Sequence, residues 1–423
     1  MKKYKIKKLG NNFFLLILIY ILLIINYRFI ISEHFNYLGF DKQYFSAFKM
    51  LISFNFTFML IMLYRSIKIE FYRIVYNVYL VIVFFGQSIF YIFNQANFII
   101  VIYMSLPLIF LYILQKNDKG KINNDIKLKL SDGFTWFIFV FIAILMIMPY
   151  FKNYKLINFG NLLLKDIYIT RNLQNEQISG ILGYLVSPIS RVILPFIIIY
   201  SISTKKRITM VLSIFFLIMM YLLNGAVKSI FFGLLACIFF YKGNYFHKEK
   251  NFLIAMIIGN LLSILESFTI HAYDIADYIR RIFFVPASLF ELYYRYFKGQ
   301  PTFFLHSRIS KLLGINKYNE YIPVLMGESK NSVANVGIFT EGFLSFGTIG
   351  VIISSIIFVY IIKYIKKRQL SPEYFGILFS YIYVINTSFI ETLFITHGLL
   401  FYLIFARFVI PKEKHTIGEY SGS

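Results

Sequence analysis

Long apolar runs separated by short polar segments make up most of this chain. The first run starts near Asn12 and continues for about 20 residues, the length at which an α-helix crosses the hydrocarbon core of a bilayer. Eleven further runs lie near 44–64, 74–93, 98–114, 134–150, 181–202, 208–223, 229–241, 252–270, 336–362, 373–393 and 398–410. The pattern predicts an all-α polytopic membrane protein with about twelve transmembrane helices, since backbone polar groups in lipid must be satisfied within each segment. We expect residues 1–423 to form a single transmembrane domain.

The start of the chain is basic. Five lysines precede the first apolar run, at positions 2, 3, 5, 7 and 8. A charged start followed by an apolar run is typical of a signal peptide, but no small-residue cleavage site follows, and the run is long enough to span. We therefore expect a retained signal anchor.

The distribution of basic residues predicts the orientation. If the N-terminus is cytoplasmic and the spans alternate, the inside segments are 1–10, 65–73, 115–133, 203–207, 241–251, 363–372 and 411–423. These segments hold 25 of the 43 Lys and Arg residues. Cytoplasmic loops carry such an excess in membrane proteins. The sequence thus predicts a multi-pass protein of the bacterial cytoplasmic (inner) membrane with both termini in the cytoplasm.

Two of the predicted outer segments are long, namely 151–180 and 271–335. Long loops in compact proteins are usually functional. We expect the chemistry of the protein to lie in these two periplasmic or extracellular loops, on the face of the membrane where no ATP is present.

Composition narrows the class of protein further. Of the 423 residues, 58% are hydrophobic and 15% are charged, whereas about 25% are charged in soluble domains. The formal net charge of +23 could indicate a nucleic-acid partner, but the basic residues lie between apolar runs, so we expect a lipid bilayer and no nucleic acid. The single cysteine, Cys237, excludes an intramolecular disulfide and a cysteine-based zinc site. No metal-binding motif is present, and we expect no metal and no cofactor.

The second outer loop begins with an arginine pair. Arg280 and Arg281 are adjacent, and Asp277 lies four residues before Arg281, the spacing of a helix-surface ion pair. Pro286 is expected to end or kink that helix. Guanidinium groups match the geometry of phosphate oxygens, so the pair is a candidate site for a lipid headgroup or a lipid-linked pyrophosphate.

An amphipathic helix is predicted next, over residues 288–298. Leu289, Phe290, Tyr293, Tyr294 and Phe297 fall on one side, and Glu291, Arg295 and Lys298 fall on the other. This pattern predicts a helix that lies in the membrane interface.

Charged residues inside apolar runs are costly, and they are functional candidates for that reason. They are Lys49, Arg191, Lys228, Glu266, Glu341, Glu391 and Arg407. Arg407 and Lys49 can reach an interface. Arg191 lies deeper in its run, where it could also pair with a glutamate to hold helices together. Glu341 lies among glycines that permit close helix packing.

Three stretches resemble a known family. They are RRIFFVPASLFELYYRYF (280–297), FFLHSRIS (303–310) and ANVGIFTEGFLSFGTIGVIISS (334–355). Together they resemble the O-antigen polymerases, the Wzy-type oligosaccharide repeat-unit polymerases, over roughly residues 270–356, and DIYITR (166–171) is a looser match. The resemblance implies a GT-C-like polymerase or ligase architecture with two large outer loops.

The resemblance also implies an activity. Such polymerases transfer a glycan from undecaprenyl pyrophosphate to a fresh lipid-linked repeat unit, without a metal or a nucleotide sugar, to build O-antigen, capsule or exopolysaccharide. A chain-length regulator protein is a candidate partner. An outward-facing site without ATP independently needs a donor that the lipid has already activated.

Roles for single residues follow as hypotheses. Arg280 and Arg281 would bind the donor pyrophosphate, while Arg171 and Arg191 are candidates for the second lipid diphosphate, and Lys228 is a candidate for binding pyrophosphate or sugar. Glu341 or His306 would be the general base for the acceptor hydroxyl, with Glu341 slightly preferred because burial raises the pKa of a carboxyl group. Ser307 and Asn335 would orient sugar or phosphate.

Other functions stay open. A flippase or other transporter of the same lipid-linked sugar would explain the size and the intramembrane charges, but it should show internal repeats, and none is visible. An O-antigen ligase would share the donor and pass the glycan to a different acceptor. A membrane O-acyltransferase would need a catalytic histidine, for which His271 and His397 are the candidates.

Overall fold

A computed structural model describes residues 2–118, 132–147, 157–159, 188–224, 227–318, 320–328 and 333–413. Within these ranges the chain is helical, and the only extended pairing described there is an isolated bridge between Leu370 and Lys412. The longer helices are α1 (Lys2–Asn26), α2 (Ala47–Arg65), α3 (Glu70–Phe93), α4 (Phe98–Asn117), α5 (Asp132–Ile147), α6 (Ile189–Ser203), α7 (Arg207–Asn224), α8 (Val227–Phe239) and α9 (Tyr245–Thr269). They continue with α10 (Asp274–Ile279), α11 (Val285–Phe297), α12 (Arg308–Leu312), α13 (Ile322–Gly327), α14 (Ile338–Lys367), α15 (Phe375–Ile385) and α16 (Leu399–Phe408).

The prediction of an all-helical protein is confirmed. In the described ranges, six helices are long and apolar enough to cross a membrane. These are Asn12–His34, which extends α1, together with α2, α3, α4, α9 and α14. The remaining predicted runs correspond to shorter helices, and about twelve spans stay a prediction.

The helices form two compact units along the chain. The first comprises 1–120, 244–364 and 382–390, and the second comprises 121–243, 365–381 and 391–423. In the first unit α3 is buried along its whole apolar length, so it forms the centre around which the other helices of that unit pack.

Small polar side chains join the helices of the first unit. The hydroxyl of Ser88 on α3 lies 2.9 Å from that of Tyr20 on α1, and 2.6 and 2.8 Å from those of Ser53 and Thr57 on α2. All four residues are buried. Interhelical hydrogen bonds of this kind stabilise helix packing where lipid supplies no hydrophobic driving force.

A buried carboxylate joins four helices of the same unit. Glu249 on α9 is fully buried and accepts hydrogen bonds from Asn12, Tyr64, Arg73 and Asn77, which lie on α1, α2 and α3. The Arg73 Nε atom lies 2.9 Å from the carboxylate, and the Asn12 and Asn77 amides lie at 3.0 and 2.8 Å. A buried charge is tolerated only when it is paired and hydrogen-bonded in this way.

Helix α14 differs from its predicted form. The run 336–362 predicted one continuous span, but the helix breaks at Phe346 and Gly347, and Gly347 has φ +60° and ψ −140°. This conformation is open essentially to glycine alone. The break returns the chain on itself, so that the backbones of Gly342 and Gly350 touch. The segment 348–367 still measures about 30 Å as a helix, which is enough to cross the hydrocarbon core.

Pro286 does not end its helix. Helix α10 runs into a π-helical turn, Arg280–Phe284, and α11 follows directly with Pro286 in its first turn. A proline lacks the backbone N–H, and it is tolerated at the first turn of a helix for that reason.

The second unit is held by close aromatic and backbone contacts. Phe240 packs against Phe375 and Phe379 with ring centroids 5.1 and 4.8 Å apart, and Gly376 lies against the backbone of Cys237. The packing therefore joins the end of α8 to α15.

Replacing Glu249 with Gln should destabilise the protein by about 3–5 kcal/mol, because it leaves Arg73 buried without a counter-charge. Thermal unfolding of the purified protein in detergent measures the effect. The control is Glu33→Gln, which breaks an exposed pair with Lys42 that is worth about 0–1 kcal/mol. Equal losses of stability in Glu249→Gln and Glu33→Gln would show that the buried carboxylate stabilises the protein no more than the exposed one does.

Gly350→Ala should lower the unfolding temperature, because the added Cβ atom would overlap the carbonyl oxygen of Gly342. Gly259→Ala in α9 is the matched control, since a Cβ atom there meets nothing within 4 Å. Alanine costs less than glycine in a helix interior, so this control should be neutral or slightly stabilising. If Gly350→Ala were as stable as the control, the close approach of the Gly342 and Gly350 backbones would not be required for stability.

Candidate functional site

The structure brings two sequence-predicted residues together in the first unit. His306 and Glu341 are both buried, with exposed fractions of 6% and 2%. The Nε2 atom of His306 lies 3.9 Å from a carboxylate oxygen of Glu341. This separation is too long for a direct hydrogen bond. The ring nitrogen and the carboxylate oxygen nevertheless lie next to each other.

Local structure holds the histidine. The Thr302 hydroxyl lies 2.8 Å from Nδ1 of His306 and 3.1 Å from the carbonyl oxygen of Leu344. The carbonyl can only accept, so the hydroxyl donates its single proton there and accepts from the Nδ1–H group. This arrangement assigns the Nδ1–H tautomer and leaves a lone pair on Nε2, directed toward Glu341.

The same contacts complete the end of a short helical segment. The backbone N–H groups of Thr302 and Phe303 donate to the carbonyls of Leu344 and Ser345, both at 2.9 Å. These carbonyls end the segment 338–345 and would otherwise lack partners. The loop that carries His306 is thereby attached to the helical segment that carries Glu341.

The Glu341 carboxylate is held by contacts with a different segment of the chain. One oxygen of Glu341 accepts from the backbone N–H of Ile390 at 2.5 Å. Gly337, one turn earlier, lies against the backbone of Ile385 and Asn386. These contacts position the carboxylate against the chain segment 385–390 of the same unit.

A small cavity adjoins the carboxylate. Its volume is about 60 Å³, and it is lined by Glu341, Ser345 and apolar side chains that include Phe304 and Phe346. A water molecule occupies about 30 Å³, so the cavity admits a water or a hydroxyl group. Within the described part of the chain, the Ser345 hydroxyl and Nε2 of His306 are buried without a hydrogen-bond partner.

Burial lowers the pKa of His306 from its usual 6.5 to about 4. The cause is the loss of hydration, which disfavours the imidazolium form. The ring is therefore neutral at pH 7, and Nε2 is able to accept a proton.

The arginine pair forms a clamp around one carboxylate. The Asp277–Arg281 pair predicted from spacing is confirmed, with Nε of Arg281 at 2.6 Å from Asp277. Arg280 also donates to Asp277, at 3.1 Å through Nε, and its guanidinium lies over the rings of Phe35 and Phe40 at 4.9 and 5.3 Å.

The two arginines differ in access. The side chain of Arg280 is 9% exposed, whereas that of Arg281 is 49% exposed. Partial burial of Asp277 would raise its pKa, but the hydrogen bonds and charges of Arg280 and Arg281 outweigh this and hold the pKa below its usual value. Asp277 therefore stays ionised and orients both arginines.

Other predicted residues have local roles or lie elsewhere. Ser307 begins α12, where its side-chain oxygen accepts from the N–H of Ser310 at 3.0 Å. Asn335 is exposed, just before α14. Arg191 is half-buried on α6 in the second compact unit. Lys228 belongs to α8, but its side chain lies outside the description, and Arg171 and nearly all of 151–180 lie outside the described residues.

The amphipathic helix of the second loop packs within the protein. Glu291 on α11, predicted to face outward with Arg295, is only 6% exposed, because it accepts from the backbone N–H of Asn97 at 3.0 Å. The i,i+4 spacing of Glu291 and Arg295 was a signal for this ion pair, whose Nε–oxygen distance is 2.8 Å. No sequence pattern indicated Thr302 as the partner of His306.

Among the described residues, no group of three or more His, Cys, Asp or Glu side chains is placed to hold a metal ion. The His306–Glu341 pair and the arginine pair both belong to the first compact unit.

Comparison with protein-family models, with curated proteins and with solved structures finds no match to this chain.

The buried histidine predicts a pH-dependent stability. Its folded-state pKa of about 4 lies below the usual 6.5, so an unfolded chain binds the proton first as the pH falls. The stabilising contribution is complete above pH 6.5 and is lost toward pH 4, and the loss reaches about 2 kcal/mol at pH 5. Thermal unfolding at pH 7 and pH 5 should show a smaller decrease for His306→Gln than for wild type.

The exposed His247 supplies the control for this measurement. His247→Gln should keep the wild-type difference between pH 7 and pH 5. If His306→Gln also kept it, His306 would not be held neutral by its surroundings.

Proposed function

We propose that this protein is a glycosyltransferase that polymerises undecaprenyl-pyrophosphate-linked oligosaccharide repeat units at the outer face of a bacterial cytoplasmic membrane. Its product would be O-antigen, capsule or exopolysaccharide. The proposal includes about twelve spans in a GT-C-like arrangement, with both termini in the cytoplasm and the segment 271–335 outside.

The facing pair of His306 and Glu341 carries the proposal. The Glu341 carboxylate lines a cavity of about 60 Å³, and the buried neutral imidazole of His306 lies 3.9 Å from that carboxylate, so the pair offers a proton acceptor to a hydroxyl group and a second acceptor next to it. General bases act on a hydroxyl within hydrogen-bond reach. Such a pair suits the activation of a sugar hydroxyl, the step that a glycosyl transfer requires.

The reaction follows from these groups. The acceptor hydroxyl oxygen attacks the anomeric carbon of the donor glycan, and the bond from that carbon to the pyrophosphate oxygen breaks. The hydroxyl proton passes to Glu341 or to Nε2 of His306. Undecaprenyl pyrophosphate leaves with the bonding electron pair, and a new glycosidic bond is formed.

The arginine clamp suits the leaving group. Arg281 is half exposed and held in place by Asp277, so its remaining guanidinium donors suit a diphosphate. Arg280 is buried and paired with Asp277. It holds Asp277 in position, and Asp277 in turn holds Arg281. Fixed positive charge stabilises a leaving diphosphate without a proton transfer. No metal or nucleotide cofactor is part of the proposal.

The remaining predicted residues keep narrower roles in the proposal. Arg171 and Arg191 are candidates for the second lipid diphosphate, Lys228 is a candidate for binding pyrophosphate or sugar, and Asn335 is a candidate for contact with sugar. Ser307 acts as a helix cap, which positions the segment after His306. A chain-length regulator would be a protein partner.

A ligase is the second candidate, because it would use the same donor, base and arginines with a different acceptor. A transporter would need neither a buried base nor an activated donor. The pairing of His306 with Glu341 therefore favours a transferase over a flippase.

Reconstitution tests the proposal directly. Purified protein in nanodiscs, given the lipid-linked repeat unit of its host, should produce a ladder of chain lengths on a gel. Glu341→Gln should slow the reaction by about 100-fold or more, the usual contribution of a general base. Arg281→Ala should abolish long chains while the protein is still produced and folded.

The control is Arg207→Ala, an exposed arginine at the start of α7 in a segment predicted to be cytoplasmic. It should leave the ladder unchanged. No ladder from folded wild-type protein with authentic substrate would reject the polymerase. A single transfer to a different lipid acceptor would indicate the ligase, and wild-type chain lengths from Arg281→Ala would remove Arg281 from the site.

A further inference from the structure

A second and larger cleft lies in the first compact unit. It has a volume of about 290 Å³ and opens to the surface. Its walls come from 38–44, 90–95, 288–295, 326–327 and Ala334, and these residues all belong to that unit. Small-molecule sites begin at about 300 Å³, so the cleft has the size of a site for one or two sugar rings.

One polar group in the lining of the cleft is fixed by hydrogen bonds. Buried Glu291 accepts from the N–H of Asn97 at 3.0 Å and from Nε of Arg295 at 2.8 Å. Arg295 in turn donates to the carbonyl of Gln95. These bonds join α11 to the turn between α3 and α4, so the groups facing the cleft are held before any ligand arrives.

Asn94, a second lining residue, is fixed as well. Asn94 is 5% exposed, and its side-chain amide donates to Tyr27 and, at 3.2 Å, to the carbonyl of Phe90. The carbonyl of Asn94 accepts from Nζ of Lys49 at 3.0 Å. Tyr27 donates to the carbonyl of Asp41 at 3.2 Å, which ties the loop after α1 to the same wall.

The lining is rich in groups that donate and accept hydrogen bonds. It includes Asp41, Asn94, Gln95, Ser288, Glu291 and Arg295. Such a mixture of carboxylate, amide, hydroxyl and guanidinium groups matches a ligand whose hydroxyls both donate and accept. It also matches the general pattern of a few polar groups converging in an otherwise apolar cleft.

The charge of the lining selects against phosphate. Asp41 and Glu291 contribute two negative charges and Arg295 contributes one positive charge. Lys49, behind Asn94, brings the local sum to zero at most. A diphosphate needs a positive field, which Arg280 and Arg281 supply elsewhere in the unit, whereas a neutral sugar does not.

We propose that this cleft binds an uncharged or amino-bearing sugar residue of the oligosaccharide, separately from its pyrophosphate. The proposal deepens the proposed polymerase and rests on it for the identity of the sugar. The protein would thus hold its substrate at two points, with the arginine clamp on the phosphate and the cleft on the glycan.

The test uses a probe that carries no phosphate. The oligosaccharide repeat unit of the host is released from its lipid and pyrophosphate, and its binding to the full-length protein in nanodiscs is measured by saturation-transfer NMR and calorimetry. Gln95→Ala should weaken binding about threefold to tenfold, the effect of losing one side-chain hydrogen bond. Ser288→Phe should abolish binding by filling the cleft, which gives a second readout that does not depend on one hydrogen bond.

Gln43→Ala is the matched control, because Gln43 is exposed and does not line the cleft. It should bind the oligosaccharide as wild type does. Equal binding by wild type, Gln95→Ala and Ser288→Phe would overturn the proposal, and so would displacement of the oligosaccharide from wild type by inorganic pyrophosphate.

The same experiment separates this proposal from the polymerase. If wild type binds the oligosaccharide but makes no ladder, and Ser288→Phe loses this binding, the result supports the cleft and rejects the polymerase. If wild type makes a ladder, and Ser288→Phe keeps both polymerisation and oligosaccharide binding, the result supports the polymerase and rejects the cleft.

Discussion

The buried carboxylate of Glu249 is the interaction on which the first unit depends. Taking an ionised group out of water costs several kcal/mol, and the chain offsets that cost with Arg73 and three neutral donors. Because these partners lie on three other helices, none of the four helices can shift without removing a hydrogen bond or the counter-charge from the buried carboxylate. Apolar packing alone sets no such register, since lipid solvates apolar faces as well as another helix does.

The helices were predictable from the sequence because hydropathy is a local property. The apolar runs correspond to helices wherever the chain is described. The bend at Gly347 was not predictable, because it depends on contact between Gly342 and Gly350 after the chain turns. Glu249 was missed for a similar reason. It lies among lysines in a segment that reads as a solvated loop, and only the fold covers it.

The candidate site was partly predictable. His306 and Glu341 were each chosen singly, as a loop histidine and an intramembrane carboxylate, and their 3.9 Å separation is a property of the fold. The Asp277–Arg281 pair was recognised from helical spacing. The burial of Arg280 was not predictable, because it depends on Phe35 and Phe40, which lie far away in the sequence, before α2. The cleft joins segments about 200 residues apart, and no local pattern could indicate it.

The attachment of Thr302 and Phe303 to the end of the segment 338–345 has a mechanical consequence. The histidine and the carboxylate share one short rigid piece, which ends at the bend, while the long segment 348–367 lies beyond it. Membrane helices tilt when the bilayer becomes thicker or thinner. The bonds that position His306 and Glu341 all lie on the near side of the bend, so we expect a tilt of the long segment to leave the spacing of these two side chains unchanged.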